Sequence, residues 1–431
     1  MKKQKIETER KEMKKGKIVI LILVVLLVAG AAAFFIKTPK KIEEFAAVAG
    51  TTDDITIPDN VKIVALGEAA HGCKEFQELK LEVFQKLVES TSIRALILEG
   101  DMGGCALANN YIQGGEGSAE DMTRVLGYRL YRTDQMCQLV QWMHDYNQTA
   151  AEDDKVRLYG MDIQKDMNAV RLIKETYAKL DEEKGRAYGE KMDALLGTEE
   201  DAYDKSNIDG IMALMDEISG DINDNKDAYA QKVPMDQLQI LDRATFAIKS
   251  SVDYYENQKA THLSRDTKMM ENVEWALELE EQLHQSGLML ASHNGHMTKN
   301  QSTQVTFLGK FLYEKYQDAY FAIGTDYYNA EINLPKNGKR VNVKFNSSDA
   351  LAYQAKDFPE GRCYVDFASV PADGTLGKMI HSPMRTGSMG EDYSFMYKVG
   401  KIFSTVNCAP ADMYDAMIFY YQTTPTVIWE D

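Results

Sequence analysis

Proline is scarce in this chain, nine in 431 residues, and cysteine scarcer still at five. The cysteines (Cys73, Cys105, Cys137, Cys363, Cys408) are scattered and odd in number, which argues against a disulfide framework and leaves at most one bridge open. They show no zinc-type pair spacing. There is no Gly-x-Ser-x-Gly elbow, no phosphate-binding loop of P-loop type and no Gly-x-Gly-x-x-Gly after a strand. Nucleophilic serine catalysis is therefore disfavoured. No fixed-period repeat or low-complexity tract occurs. Histidine is rare as well, seven in all, and three of the seven fall in two short strings, Gly67-Glu68-Ala69-Ala70-His71-Gly72 and His293-Asn294-Gly295-His296. What remains is a His/Glu site acting on water, with or without a metal.

Charge divides the chain unevenly. Residues 1–17 hold eight Lys/Arg against three Glu, a local +5, and nineteen uncharged residues follow at 18–36. That run is about the length of a membrane-spanning helix and longer than the apolar part of most cleavable signals. The basic flank before it exceeds Lys37, Lys40 and Lys41 after it, so the reading is a signal-anchor at 18–36 with a cytoplasmic basic tail and the rest of the chain outside the cell membrane. The small-residue stretch at 29–33 also offers a cleavage site. The whole chain carries −17, and with +5 in the tail the remainder carries −22. An exported body this acidic argues against nucleic acid as a partner and against docking on anionic lipid.

Past a tether at 37–60, apolar runs ending in Gly or an acid mark buried strands at 63–66, 95–98, 156–160 and 320–324, another at 288–292 runs into His293, and further strand-like runs lie near 363–370 and 416–428. Phe76, Leu79, Val83, Leu87 and Val88 recur at helical spacing within 74–90, which makes a β-loop-α-β unit with parallel strands. Gly-rich breaks divide 102–150 into helices and loops. About 165–285 is helical with little strand signal, most clearly at 167–180, 208–218, 238–255 and 267–283. The predicted fold is therefore α/β: a mostly parallel sheet flanked by helices over 61–431, with one large all-helical insertion. Such an insertion is expected to hang over the carboxyl ends of the strands as a lid or substrate wall.

Both histidine strings follow a predicted strand, and catalytic groups of open α/β sheets collect at strand carboxyl ends. Glu68 and His71 are spaced i, i+3 at a strand-to-helix turn. A carboxylate beside an imidazole sets its tautomer and raises its basicity, and such an imidazole can deprotonate water. The alternative is a Glu that caps the next helix and a His that packs locally. Gly67 and Gly72 permit a tight path and close approach of a ligand. His293 and His296 repeat the spacing and can polarise a carbonyl, stabilise an oxyanion or bind a metal; the alternative is one core and one exposed histidine. Glu99 and Asp162 each end a strand, where a carboxylate must be paired or solvated. His144, His262, His284 and His381 are weaker candidates.

Taken together, several blocks in order resemble the erythromycin esterase family. These are Leu66 to Gly72 with Glu75-Phe76, Ala95 to Glu99, Trp142 to Asn147, Tyr159 to Asp162, Arg265-Asp266 with Met270 and Asn272, His293 to His296, and Ala322 to Thr325. The resemblance covers roughly 60–425. It implies an esterase in which a histidine activates water to open the lactone ester of a macrolide. By position the base is His71 with Glu68 beside it, His293 and His296 form the second histidine motif, and Glu75 and Glu99 match acidic positions. The family's hydroxyl residue before the first histidine is Ala70 here, its first-helix arginine is Lys80, and the acid before the Trp helix is replaced by Gln135.

The expectation is a membrane-anchored hydrolase of carboxylic esters, needing no cofactor. His71, Glu68, His293 and His296 do the chemistry, His293 and His296 stabilising the oxyanion, with Glu75, Glu99 and Asp162 in support. Two alternatives stand beside it. One is a metal-dependent hydrolase in which Glu68, His71, Glu99 and His293 hold a divalent ion such as zinc or manganese. The other is a degenerate cell-surface protein that only binds a ligand.

Overall fold

A computed structural model describes residues 39–196, 207–256, 261–283, 287–300, 307–391 and 393–430. The expected basic tail and membrane span, 1–17 and 18–36, lie outside them. Among the described residues no helix is long and apolar enough to cross a membrane.

Six strands form the parallel body of one sheet. They are β2 (Ile63–Glu68), β3 (Ala95–Asp101), β4 (Arg157–Asp162), β5 (Leu288–His293), β6 (Tyr320–Lys336) and β11 (Ala416–Thr423). Their order is β11-β6-β2-β5-β3-β4. On the β11 edge the sheet continues antiparallel through β8 (Arg362–Asp366) to β1 (Ala49–Gly50). β2 and β3, expected as the two strands of one unit, are parallel but do not touch, because β5 lies between them. The position of β5 brings His293 beside Glu68 in register.

Alternation along the strands builds two cores. Ile63, Ala65, Ile97, Leu288 and Leu290 face one side, where they meet the helical insertion. Val64, Leu66, Leu96, Leu98, Met289 and Ala291 face the other, against α1 (Lys74–Ser90) and α3 (Asp134–Asn147), with α2 (Met102–Ile112) between these helices in sequence. α1 forms where the periodicity predicts. Its apolar stripe is buried, and Thr91 ends it with backbone N–H and hydroxyl both on the Leu87 carbonyl. Burying Phe76 there contributes ~1.5–3 kcal/mol.

The insertion between β4 and β5 contains α4 (Met167–Leu180), α5 (Glu182–Leu196), α6 (Ile208–Asp224), α7 (Met235–Glu256) and α8 (Thr261–Gln282). It was expected to overhang the strand ends. Most of it instead covers a face of the sheet, because Ile173, Ile218, Ile248 and Val273 supply an apolar layer that the sheet must bury. Among the described residues the beginning of α4, the end of α7 and the beginning of α8 reach the strand ends, through Asn168 on Asp101, Tyr255 on Gln164 and Arg265 on Glu99 and Asp162.

Two further expectations change. From Ile42 onward the supposed tether is part of the fold: Phe45 is buried, and the Ile42 N–H donates to Gln354 Oε1 at 3.0 Å. β6 also runs far past 324 and turns at Asn337-Gly338, both at positive φ, into β7 (Lys339–Asn346). Finally β9 (Met384–Gly387) pairs with β10 (Thr405–Cys408). After β9 the chain passes over the strand ends and joins residue 70 through a bridge at Met389.

Candidate active site

Glu68 is the last residue of β2 and is buried. One carboxylate oxygen, Oε1, lies 2.6 Å from His71 Nδ1, and the other, Oε2, accepts from Lys80 Nζ at 2.5 Å. Burial alone would raise the Glu68 carboxyl. The Lys80 ammonium and the His71 contact outweigh it and hold the carboxyl down at about 2. Glu68 is therefore ionised, so His71 donates from Nδ1 and its Nε2 is left as the basic lone pair. No hydrogen bond engages that Nε2 among the described residues. Burial pulls the His71 imidazolium down, but Glu68, with Glu99 and Glu391 further off, raises it above its ordinary range. Glu68 thus orients the His71 ring and does not cap the helix.

The two glycines serve the protein's own packing. A Cβ at Gly67 would lie 2.1 Å from the Asn294 side chain, and one at Gly72 2.1 Å from the Asn333 carbonyl oxygen. The close approach expected of a ligand is made by β5's following turn and by β6.

His293 stacks on His71 with ring centroids 4.9 Å apart. Its Nδ1 accepts the Gly295 N–H at 3.1 Å, so Nε2 carries the proton and donates to the Met389 carbonyl, also at 3.1 Å. Burial and the neighbouring His71 lower its imidazolium to about 3, so it is neutral. The oxyanion role expected of His293 does not fit this geometry, because both ring nitrogens are committed to backbone. It holds the turn at Gly295, the loop at Met389 and the ring of His71.

Glu99 closes the floor. Its Oε2 accepts the His293 N–H at 2.9 Å and its Oε1 accepts from Arg265 Nη2 at 3.0 Å. Burial would raise this carboxyl; His296, Arg265 and His71 outweigh it and hold it well below the usual range. Asp162 takes Arg265 in a two-pronged grip, Nε at 3.1 Å and Nη2 at 2.5 Å, and also accepts from the Tyr128 hydroxyl. Arg265 Nη1 then points to His296 Nε2 at 3.2 Å, while His296 Nδ1 meets Asp266 Oδ1 at 2.8 Å. Burial lowers the His296 imidazolium, and the Glu99 and Asp266 carboxylates raise it further than that.

His71, Glu99, Arg265 and His296 line one cleft of about 170 Å³ at the carboxyl ends of the strands, with Tyr128, Tyr131 and Gln164 on one wall and Glu391 above. A broader groove of about 1270 Å³ opens beside Tyr320 and Asp415, at the amino ends of β6 and β11, and contains none of this chemistry. The structure thus unites Glu68, His71, Glu99, Asp162, His293 and His296. It does not bring Glu75 to them. That carboxylate accepts the Thr424 N–H and hydroxyl and fastens the C-terminal segment to α1. Nor do Glu68, His71, Glu99 and His293 make a coordination set. Both oxygens of each glutamate and both nitrogens of His293 are engaged, and among the described residues no three His, Cys, Asp or Glu converge on a metal position. All five cysteines are free. His144 stacks on Tyr111 at the surface and His381 is exposed. Of the other weak candidates, His284 and the His262 side chain lie outside the described parts.

The family model for erythromycin esterase matches residues 88–423. The chain belongs to the erythromycin esterase family. The match begins after Glu68 and His71, whose place in the site rests on the geometry above. Solved structures share the fold. A Bacillus cereus protein superposes with a TM-score of 0.72 at 20% identity, covering 91% of this chain and 100% of its own. A succinoglycan biosynthesis protein gives 0.71 at 18%, covering 90% and 97%. A mutant of the erythromycin esterase EreC in its open conformation gives 0.59 at 14%, covering 86% and 93%.

Within this erythromycin esterase fold, the sequence reading gave no site role to Lys80, Arg265, Asp266, Tyr128, Gln164, Met389 or Glu391. Three had a legible signal. Lys80 follows Phe76 by one helical turn on the apolar stripe of α1, where a lysine must find a buried partner. Arg265-Asp266 is a charged pair in a helix whose neighbours pack into the core. Glu391 had none, because it lies in an irregular segment placed only by tertiary contacts.

Proposed function

We propose that this protein is a hydrolase of esterase type in which His71 activates water for attack on a carboxylic ester. The observation that carries the reading is the Lys80–Glu68–His71 chain, which ends in an unengaged imidazole nitrogen on a cleft. A water at Nε2 gives up a proton as its oxygen attacks the ester carbonyl. Arg265, fixed by Asp162 and Glu99, faces the same cleft with His296. Its guanidinium is the donor that meets the oxygen anion as charge develops. The proton on His71 then passes to the departing alcohol. Lysine does at position 80 what the family's arginine does by charge, without the planar fork.

The cleft bounds the substrate. Pockets for drug-sized ligands run ~300–1,000 Å³, so about 170 Å³ suits a small ester or one end of a larger one. A macrolactone enters only if the loop carrying Met389 and Glu391 moves aside. We place the enzyme at the cell membrane, held by 18–36 with the catalytic part outside; the uncharged run and its basic flank support this. Mass spectrometry of the full-length protein with a panel of macrolides and small esters tests the function. Gain of one water by any member, absent with His71→Ala, supports it. No gain by any member overturns it.

A further inference from the structure

Charge in the cleft does not balance when the base is ready to act. Among the described ion pairs of the site, five carboxylates, Glu68, Glu99, Asp162, Asp266 and Glu391, meet three fixed cations, Lys80, Arg265 and Arg340. Protonated His71 and His296 would make up the difference. His71 must be unprotonated to take a proton from water, and then the site is left at least one positive charge short.

Four of the carboxylates are buried at or below the cleft floor, each in an ion pair. Glu391 is the exception. It lies above the cleft, facing His71 from the loop after β9, with its side chain 33% exposed. One oxygen, Oε1, accepts from Arg340 Nη1 at 2.7 Å; the other makes no hydrogen bond among the described residues. Arg340 is itself shared, donating from Nε to Asn333 Oδ1 at 2.5 Å and from Nη2 to the Asn333 carbonyl at 3.0 Å. Tyr128 and the buried Tyr131 are among the residues that line the same space. A carboxylate with spare capacity at a cleft that a tyrosine also lines is a surrounding that attracts an organic cation.

We propose that Glu391 is a specificity-determining residue that binds an ammonium group carried by the ester substrate. The inference rests on the hydrolase reading and deepens it. A cation at Glu391 supplies the missing charge in place of the proton on His71. Binding such a substrate therefore favours the base form of His71, and a neutral ester of the same shape does not. Arg340 competes with the substrate for Glu391.

The test compares the acetate ester of choline with its uncharged carbon isostere, in the full-length protein, Glu391→Gln and Arg340→Met. Calorimetry with choline alone supplies a readout that needs no turnover. The expected ratio of kcat/KM, charged over neutral, is on the order of tenfold. It falls toward one in Glu391→Gln and rises in Arg340→Met. If the ion pair only held the loop, both variants would move the ratio the same way, and the proposal would be overturned. Hydrolysis of both esters at equal kcat/KM also overturns it and leaves the hydrolase reading intact. Glu391-dependent choline binding with neither ester hydrolysed supports the cation site and counts against the hydrolase.

Discussion

The imidazoles of His71 and His293 lie 4.9 Å apart, centroid to centroid, with their planes at 38°. Two rings of one residue type, in contact, hold opposite electrostatic states. His71 is drawn toward the charged form by Glu68, and His293 is held neutral by burial and by His71 itself. Divergence of this kind fits the proposed division of labour, in which His71 moves the proton and His293 positions it.

Lys80→Met isolates the first link of the chain. It leaves the buried Glu68 carboxylate with His71 alone, and breaking such a pair destabilises a protein by ~3–5 kcal/mol near neutrality. The Glu68 carboxyl is depressed in the folded state, so the stability it contributes is present above its unfolded value of ~4.3 and is lost as pH falls toward about 2. The deficit of the variant therefore shrinks in acid. Urea unfolding at several pH values measures it, and a deficit that grows in acid contradicts the pairing.

The pH dependence of turnover reads His71 directly. In the proposed mechanism its unprotonated form is the active one, so kcat/KM is expected to climb with pH and level off on the alkaline side of ~6.5. In Glu68→Gln the hydrogen bond and charge that raise the imidazolium are gone, and the limb moves to lower pH. The plateau falls by about a hundredfold or more, because a Gln amide can donate to Nδ1 and turn the base around.

Much of this site was legible in the sequence, and the part that was not has a physical reason. Glu68, His71, Glu99, Asp162 and His293 each end a strand or follow one closely, so periodicity alone placed them on one edge of a sheet. It could not show that β5 lies between β2 and β3, since strand order is set by packing across the whole chain. The fate of His293 was illegible because its partners are backbone groups of Gly295 and Met389, which carry no side-chain signal. Glu75 misled for the opposite reason. It stands next to Phe76 in the first histidine block, but its side chain points along α1 to Thr424.

Two further buried carboxyls, Asp326 and Asp349, lie beneath the loop that carries Met389. Asp326 accepts the Gly387 and Tyr327 N–H groups, and Asp349 Oδ1 accepts those of Leu351 and Ala352. Burial raises both carboxyls, and their mutual contact raises Asp326 further. Such groups stabilise the fold below their unfolded value of ~3.9, and that stability is lost as pH rises through the folded values. In Asp349→Asn the amide keeps the Oδ1 acceptor and donates to Asp326. Its Tm is expected to match wild type in acid and exceed it increasingly on the alkaline side. A variant less stable at every pH would show that no proton is shared.

Direct activation of water by His71 is tested most sharply by a single turnover of an accepted ester in water labelled with heavy oxygen. The expected result is one labelled oxygen in the acid product, no acyl group on the protein at any time, and no product from His71→Ala. An acyl-protein mass during turnover, or labelled product from His71→Ala, would contradict the mechanism.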